Sequence, residues 1–242
     1  MGYTTEFSGH ITIDPPLSDK ERDYLTRFSD SRRMDRARGP YFIEGSGYAG
    51  QGRDPDIRDN NIPPPCQPGL WCQWVPSDDG SRLEWNGAEK FYAAPEWMSY
   101  LRSHFIATGA AKILDPQHQG FWTPHRMSGE IMAVGEDAGG DTWKLIVNDE
   151  GVFTQEGSWT PEARTRVFGD EDAKDDNYVG SDEALAFIVA NPTAMTFGPL
   201  EKIDNFNQPD MEARILAQKD LQALEKTVPS RPVRTPGSGP RV

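Results

Sequence analysis

The sequence has only two cysteines in 242 residues, Cys66 and Cys72, and no CxxC pair. Two thiols cannot complete a tetrahedral zinc site or staple a secreted scaffold, so both are expected to be free, Cys72 buried on a strand and Cys66 in a loop. No apolar run approaches the roughly eighteen residues that a membrane-spanning helix needs. The opening Met1-Gly2-Tyr3-Thr4-Thr5-Glu6 has neither the basic nor the apolar part of a signal peptide, and Glu6 stands where a myristoylation signal requires Ser or Thr. A soluble, cytoplasmic chain without a membrane partner is the expectation. Basic charge is also scarce: 25 Lys and Arg against 38 Asp and Glu give a formal charge of -13. That field repels phosphate and makes nucleic acid an unfavourable partner. Finally, there is no H-E-x-x-H, no G-x-S-x-G elbow and no phosphate-binding G-x-x-x-x-G-K-[ST], so no metal, cofactor or catalytic residue is assigned from motifs.

What is abundant is turn chemistry and aromatic mass. There are 23 glycines and 20 prolines, and residues 36–69 are so rich in both that they read as one long loop. Around it the local signals are sharp. Phe7-Ser8-Gly9-His10-Ile11-Thr12-Ile13 alternates as a half-buried strand does, and Ser18 followed by Glu21 has the spacing of a capping box opening a helix to about Ser29. Leu70 to Val75 and Arg82 to Trp85 flank an Asp79-Gly80 turn. Pro95 suits the first turn of a helix whose stripe is Trp97, Leu101 and Phe105. Gly129 to Glu136, Thr142 to Val147 and Val152 to Thr154 read as further strands.

The order β-α-β-β-α-β-β predicts an α+β fold, an antiparallel sheet with its helices on one face in a split β-α-β, ferredoxin-like arrangement. A plain antiparallel meander with helices at one end is the alternative. Residues 1–157 are expected to form this domain. Residues 158–226 are read as an acidic linker and helical extension, with helices over 181–190 and 209–226, and 227–242 as a disordered tail. The tail holds Arg231, Arg234 and Arg241, four prolines and no acid.

Candidate chemistry is thin. Gly45-Ser46-Gly47-Tyr48-Ala49-Gly50 spells G-x-G-x-x-G, but Gln51-Gly52-Arg53-Asp54-Pro55 cannot open the helix that would hold a pyrophosphate, so it reads as a glycine loop. His104, His118 and His125 could converge, yet their spacing fits no ligand signature. Asp54, Asp56 and Asp59 favour turns as readily as cations. Arg22 to Arg38 is a local basic stretch that reads chiefly as solvated surface. Five of the seven tryptophans fall between Trp71 and Trp122, a density that builds a core or lines a groove for a flat ligand.

Gln67-Pro68-Gly69-Leu70-Trp71-Cys72-Gln73-Trp74-Val75-Pro76, Leu83-Glu84-Trp85-Asn86-Gly87-Ala88-Glu89-Lys90-Phe91-Tyr92 and Glu96-Trp97-Met98-Ser99-Tyr100-Leu101, together with the opening residues and Ser31-Arg32-Arg33-Met34, resemble a family of uncharacterised proteins encoded by actinobacteria and their phages. The likeness covers about residues 1–155. It implies no activity, cofactor or catalytic residue. The function expected is that of a non-catalytic accessory protein, phage-encoded or host-encoded, that binds another macromolecule, with helix 209–226 as a docking element for a protein partner. The alternative is a small enzyme or small-ligand binder with its site between the 36–69 loop and the tryptophan-rich sheet face. For that site the candidate ligand-binding residues are Arg33, Trp71, Trp74, Trp85, Glu89, Tyr92 and His104.

Overall fold

A computed structural model of the chain describes residues 2–43, 54–65, 67–107, 121–169 and 179–203. The Gly45–Gly50 loop, Cys66, His118, the expected helix 209–226 and the tail 227–242 lie outside the described residues.

Ten strands and four α-helices alternate along these residues. They are β1 (Thr5–Asp14), α1 (Asp19–Asp30), β2 (Asp35–Arg36), β3 (Ile57–Asp59), β4 (Trp74–Pro76), β5 (Arg82–Trp85), α2 (Ala94–Leu101), β6 (Arg126–Gly135), β7 (Thr142–Asn148), β8 (Gly151–Trp159), α3 (Pro161–Phe168), α4 (Ser181–Ala190), β9 (Met195–Phe197) and β10 (Glu201–Lys202). The fold is a mixed α+β one. Its main sheet is antiparallel throughout, in the order β10-β8-β7-β6-β1-β5-β4, and β9 also pairs with β8. β2 and β3 form a separate two-stranded ribbon inside the long loop.

Local chemistry fixes the ends. The capping box at α1 is complete: the Ser18 side chain accepts from the Glu21 amide, and the Glu21 carboxylate accepts from the Ser18 amide at 2.8 Å. Such a cap stabilises a helix by about 1 kcal/mol. α2 opens on Pro95 and ends in one π turn over Arg102–Ile106. β1 and β6 run side by side along their full length, from Thr5↔Gly135 to Asp14↔Arg126. Their backbones come so close at Gly9 and Gly129 that a Cβ would meet the Glu130 or His10 carbonyl at 2.5 or 2.6 Å. Only glycine fits there, and both have positive φ.

The two faces of β6 separate two cores. Ile131 and Ala133 join Ile11, Phe28, Trp74, Trp97 and Phe105 beneath α1 and α2, whereas Met132 and Val134 join Ala184, Leu185 and Ile188 beneath α4. Period-two alternation thus puts α1 and α2 on one face and α4 on the other. Fully burying a large apolar side chain of this kind stabilises by roughly 1.5–3 kcal/mol.

Three expectations about strands change. β8 runs on past Thr154 to Trp159 and crosses residue 157, and β9 and β10 extend the same sheet, so residues up to 203 share it. Gln155-Glu156-Gly157-Ser158 concealed this, because its polar side chains face solvent and not a core. Near Trp71 the strand is shorter than the apolar run: β4 begins only at Trp74, with buried Cys72 just ahead of it. Among the described residues, no helix is long and apolar enough to cross a membrane.

Candidate functional site

The candidate residues named from sequence divide between the core and an exposed turn. Trp74 is fully buried, packs edge-on to Phe7 and Phe91, and donates its indole N–H to the Ala94 carbonyl at 2.9 Å. Trp85 is half-buried against the same Phe7, with its Nε1 donating to Gln73 Oε1. Gln73 in turn donates to the Glu89 carbonyl, tying down a turn on which the Glu89 side chain and Tyr92 stay exposed. Trp71 is half-buried, with the Arg32 guanidinium 5.9 Å from its ring centre.

Arg33 and His104 are brought together, but inside the protein. The Arg33 guanidinium lies over the Phe28 ring and donates to the Pro40 and Phe42 carbonyls at 2.7 and 2.9 Å and to Gln67 Oε1 at 3.4 Å. Burial lowers its pKa. Gln67 also donates to Pro40 O and to the Tyr100 hydroxyl. His104, on the π turn, stacks on Tyr100 with ring centres 3.9 Å apart, and its Nδ1 is 2.9 Å from the Tyr41 hydroxyl. Burial pushes its pKa down to about 3, so the imidazole is neutral at physiological pH. These groups fasten the loop residues 40–43 and Gln67 to α1 and α2.

Sequence reasoning saw Glu21 only as a cap, although it anchors a second buried cluster. Its Oε1 accepts from the Thr123 amide at 2.6 Å and hydroxyl at 3.1 Å and lies 3.3 Å from His125 Nε2. Its Oε2 accepts from Ser18. His125 Nδ1 donates to the Pro15 carbonyl at 2.6 Å. Burial alone would raise the carboxyl pKa, yet the donors from Thr123, Ser18 and His125 outweigh it and bring Glu21 down to about 2. His104 and His125 therefore serve different partners.

The loop charges neutralise one another. Arg36 bridges Asp54 and Asp56 at 3.1 and 3.4 Å, Arg38 reaches Asp56 at 3.6 Å, and both guanidinium groups lie against Phe42. Asp59 accepts from the Asn61 amide. Arg22 and Arg27 pair with Asp19 and Asp23, and Arg32 donates to Asn60 and Asn61. The basic stretch is thus spent largely within its own fold. Among the described residues, no group of three or more His, Cys, Asp or Glu could hold a metal ion. Cys72 is buried, which raises its thiol pKa to about 12.

A different place offers unspent chemistry. α1 and α2 cover the middle of the sheet, and β8 and β10 extend beyond them. Where the helical layer stops, a groove of about 470 Å³ opens between the first turn of α2 and β7, β8 and β10. Its lining includes Glu96, Asp141, Trp143, Glu156, Glu201 and Ile203 and, among the described residues, no Lys, Arg or His. Asp141 accepts a hydrogen bond from the Tyr3 hydroxyl, and burial together with that carboxylate pushes the phenol up to about 12. Among the described residues, the carboxylates of Glu96, Glu156 and Glu201 have neither an ion-pair nor a hydrogen-bond partner. Trp143 and Ile203 are partly buried and form the apolar part of the wall, backed by the core. Four carboxylates beside an indole suit a cation that can also stack, such as a guanidinium or ammonium group.

No protein-family model, curated protein or solved structure matches the chain.

Proposed function

We propose that this chain is a non-catalytic, cytoplasmic accessory protein that binds a basic segment of another polypeptide in the groove between α2 and β8. The observation that carries the reading is the groove's lining: Glu96, Asp141, Glu156 and Glu201 around Trp143, with no basic residue among them. Uncompensated carboxylates with an aromatic wall attract Lys and Arg side chains and repel phosphate. The buried titratable groups speak for the same reading. Glu21, Arg33 and His104 each hold protein partners within the fold, so these three buried groups are committed to structure. Of the residues named for the small-molecule alternative, Arg33, Trp74 and His104 are buried, Trp71 and Trp85 are half-buried, and Glu89 and Tyr92 are exposed.

The central strands also favour a split β-α-β, ferredoxin-like core. Support comes from the order β6-β1-β5-β4, with α1 between β1 and β4 in the chain and α2 between β5 and β6.

The test is fluorescence anisotropy with a labelled arginine-rich peptide. The full chain should bind it, the affinity should fall as salt rises, and an acidic peptide of equal length should not bind. Glu156→Gln with Glu201→Gln should weaken binding about tenfold, since each exposed pair contributes about 0.2–1 kcal/mol. Equal binding to both forms would overturn the reading.

A further inference from the structure

We infer that the groove is occupied in cis by the arginine-proline segment 227–242 of the same chain, which any outside basic partner must displace. The inference rests on the groove reading above and names its resident occupant.

Three observations converge on that segment. The first is charge. In a chain of net charge -13, residues 227–242 hold Arg231, Arg234 and Arg241 and no Asp or Glu. The other arginine-rich run, Arg22 to Arg38, is committed: Arg33 to carbonyl groups, Arg36 and Arg38 to Asp54 and Asp56. The second is the exit of the chain. β10 contributes Glu201 to the groove wall, and Ile203, the last described residue, also lines it. The polypeptide thus leaves the sheet at the groove itself, and Arg231 lies 28 positions further along the sequence. Tethers of this length hold a segment at about millimolar effective concentration. Even weak attraction therefore gives high occupancy. The third is shape. Pro229, Pro232, Pro236 and Pro240 favour an extended backbone, which loses little entropy on being laid in a groove. The lining supplies carboxylates for guanidinium groups and the Trp143 ring for stacking.

Occupation in cis makes the site self-regulated. A partner binds only as far as it outcompetes the tail, and a charge-removing modification of the tail frees the groove.

The experiment compares the full chain with a full-length variant carrying Arg231→Gln, Arg234→Gln and Arg241→Gln, which changes no residue of the sheet, its helices or the groove lining. The probe is a labelled synthetic peptide of residues 227–242, beside the arginine-rich peptide used above. With the tail neutralised, both probes should bind about tenfold more tightly, matching a tail dissociation constant of about 100 μM against a millimolar effective concentration. Glu156→Gln with Glu201→Gln in the same variant should cancel the gain. Light scattering should report a monomer for both proteins. If the arginine-rich peptide binds both forms equally and still responds to the groove substitutions, occupation by the tail is overturned and the groove reading stands. The same holds if the 227–242 probe binds neither form while the arginine-rich peptide binds. A dimer that dissociates on neutralising the tail would overturn occupation in cis in favour of exchange between copies. If no basic probe binds the tail-neutralised chain, both readings fall together.

Discussion

The cluster around Arg33 and the groove beside α2 are both built from charged and polar groups, but the described residues saturate the first and leave the carboxylates of the second unpaired. Arg33 gives its N–H groups to the Pro40 and Phe42 carbonyls and to Gln67, which also holds Tyr100. A buried cation saturated in this way fixes a loop and has nothing left to offer a ligand. Glu96, Glu156 and Glu201 line the groove and, among the described residues, have no such partners. Their hydration is released only when a cation arrives. A residue's type therefore says little about its role. What separates the strut from the binding group is whether its valences are filled from within.

Three variants sharpen this contrast. The largest effect belongs to Glu21→Ala, which strips the Thr123 and Ser18 amides and His125 of a buried acceptor. A loss of about 3–5 kcal/mol is expected, read as a lowered urea midpoint with unchanged slope. The second concerns His104. Its folded pKa of about 3 lies below the ordinary imidazole value of 6.5, so between those values the unfolded chain binds a proton that the folded chain does not. Stability contributed by this group is therefore constant above pH 6.5 and falls by about 1.4 kcal/mol per pH unit below it. Glu21, lowered to about 2 from 4.5, adds a second loss that begins only below pH 4.5. Urea titrations across pH 7 to 4.5 should show the first slope in the native chain and a much flatter line in His104→Gln. The smallest effect on stability is expected from Glu156→Gln with Glu201→Gln, within about 0.5 kcal/mol of the parent, although this pair is the one that governs peptide affinity. A large loss of stability there would erase the distinction between the two regions.

Much of the scaffold was legible because its signals are local. The Ser18–Glu21 box, the Asp79-Gly80 turn and the alternation in β1 each involve residues a few positions apart, and each appears in the fold. The polar half of β8 was not, since a strand whose side chains face solvent has no apolar alternation to betray it. Glu21 was half legible: its cap is local, but its bonds to Thr123 span a sequence distance of 102. The tryptophan density split, with Trp74, Trp97 and Trp122 in the core and Trp71 and Trp85 half-buried. The groove was invisible for a simple reason. Glu96, Asp141, Glu156 and Glu201 come from four separate segments, and only the width of the sheet relative to its helices brings them together.

The position of β1 carries a consequence for how the chain is made. This strand, Thr5–Asp14, precedes its longest partner, β6 at Arg126–Gly135, by more than a hundred residues, and its other neighbour, β5, touches it only around Ile11 and Thr12. Ribosomes add about 5–20 residues per second, so the apolar side of β1, with Phe7, Ile11 and Ile13, waits on the order of ten seconds for the strand that completes it. During that interval it is an unpaired, half-greasy ribbon. The nascent chain is a natural client for a ribosome-associated chaperone over this interval, and slowing translation between β5 and β6 lengthens its exposure.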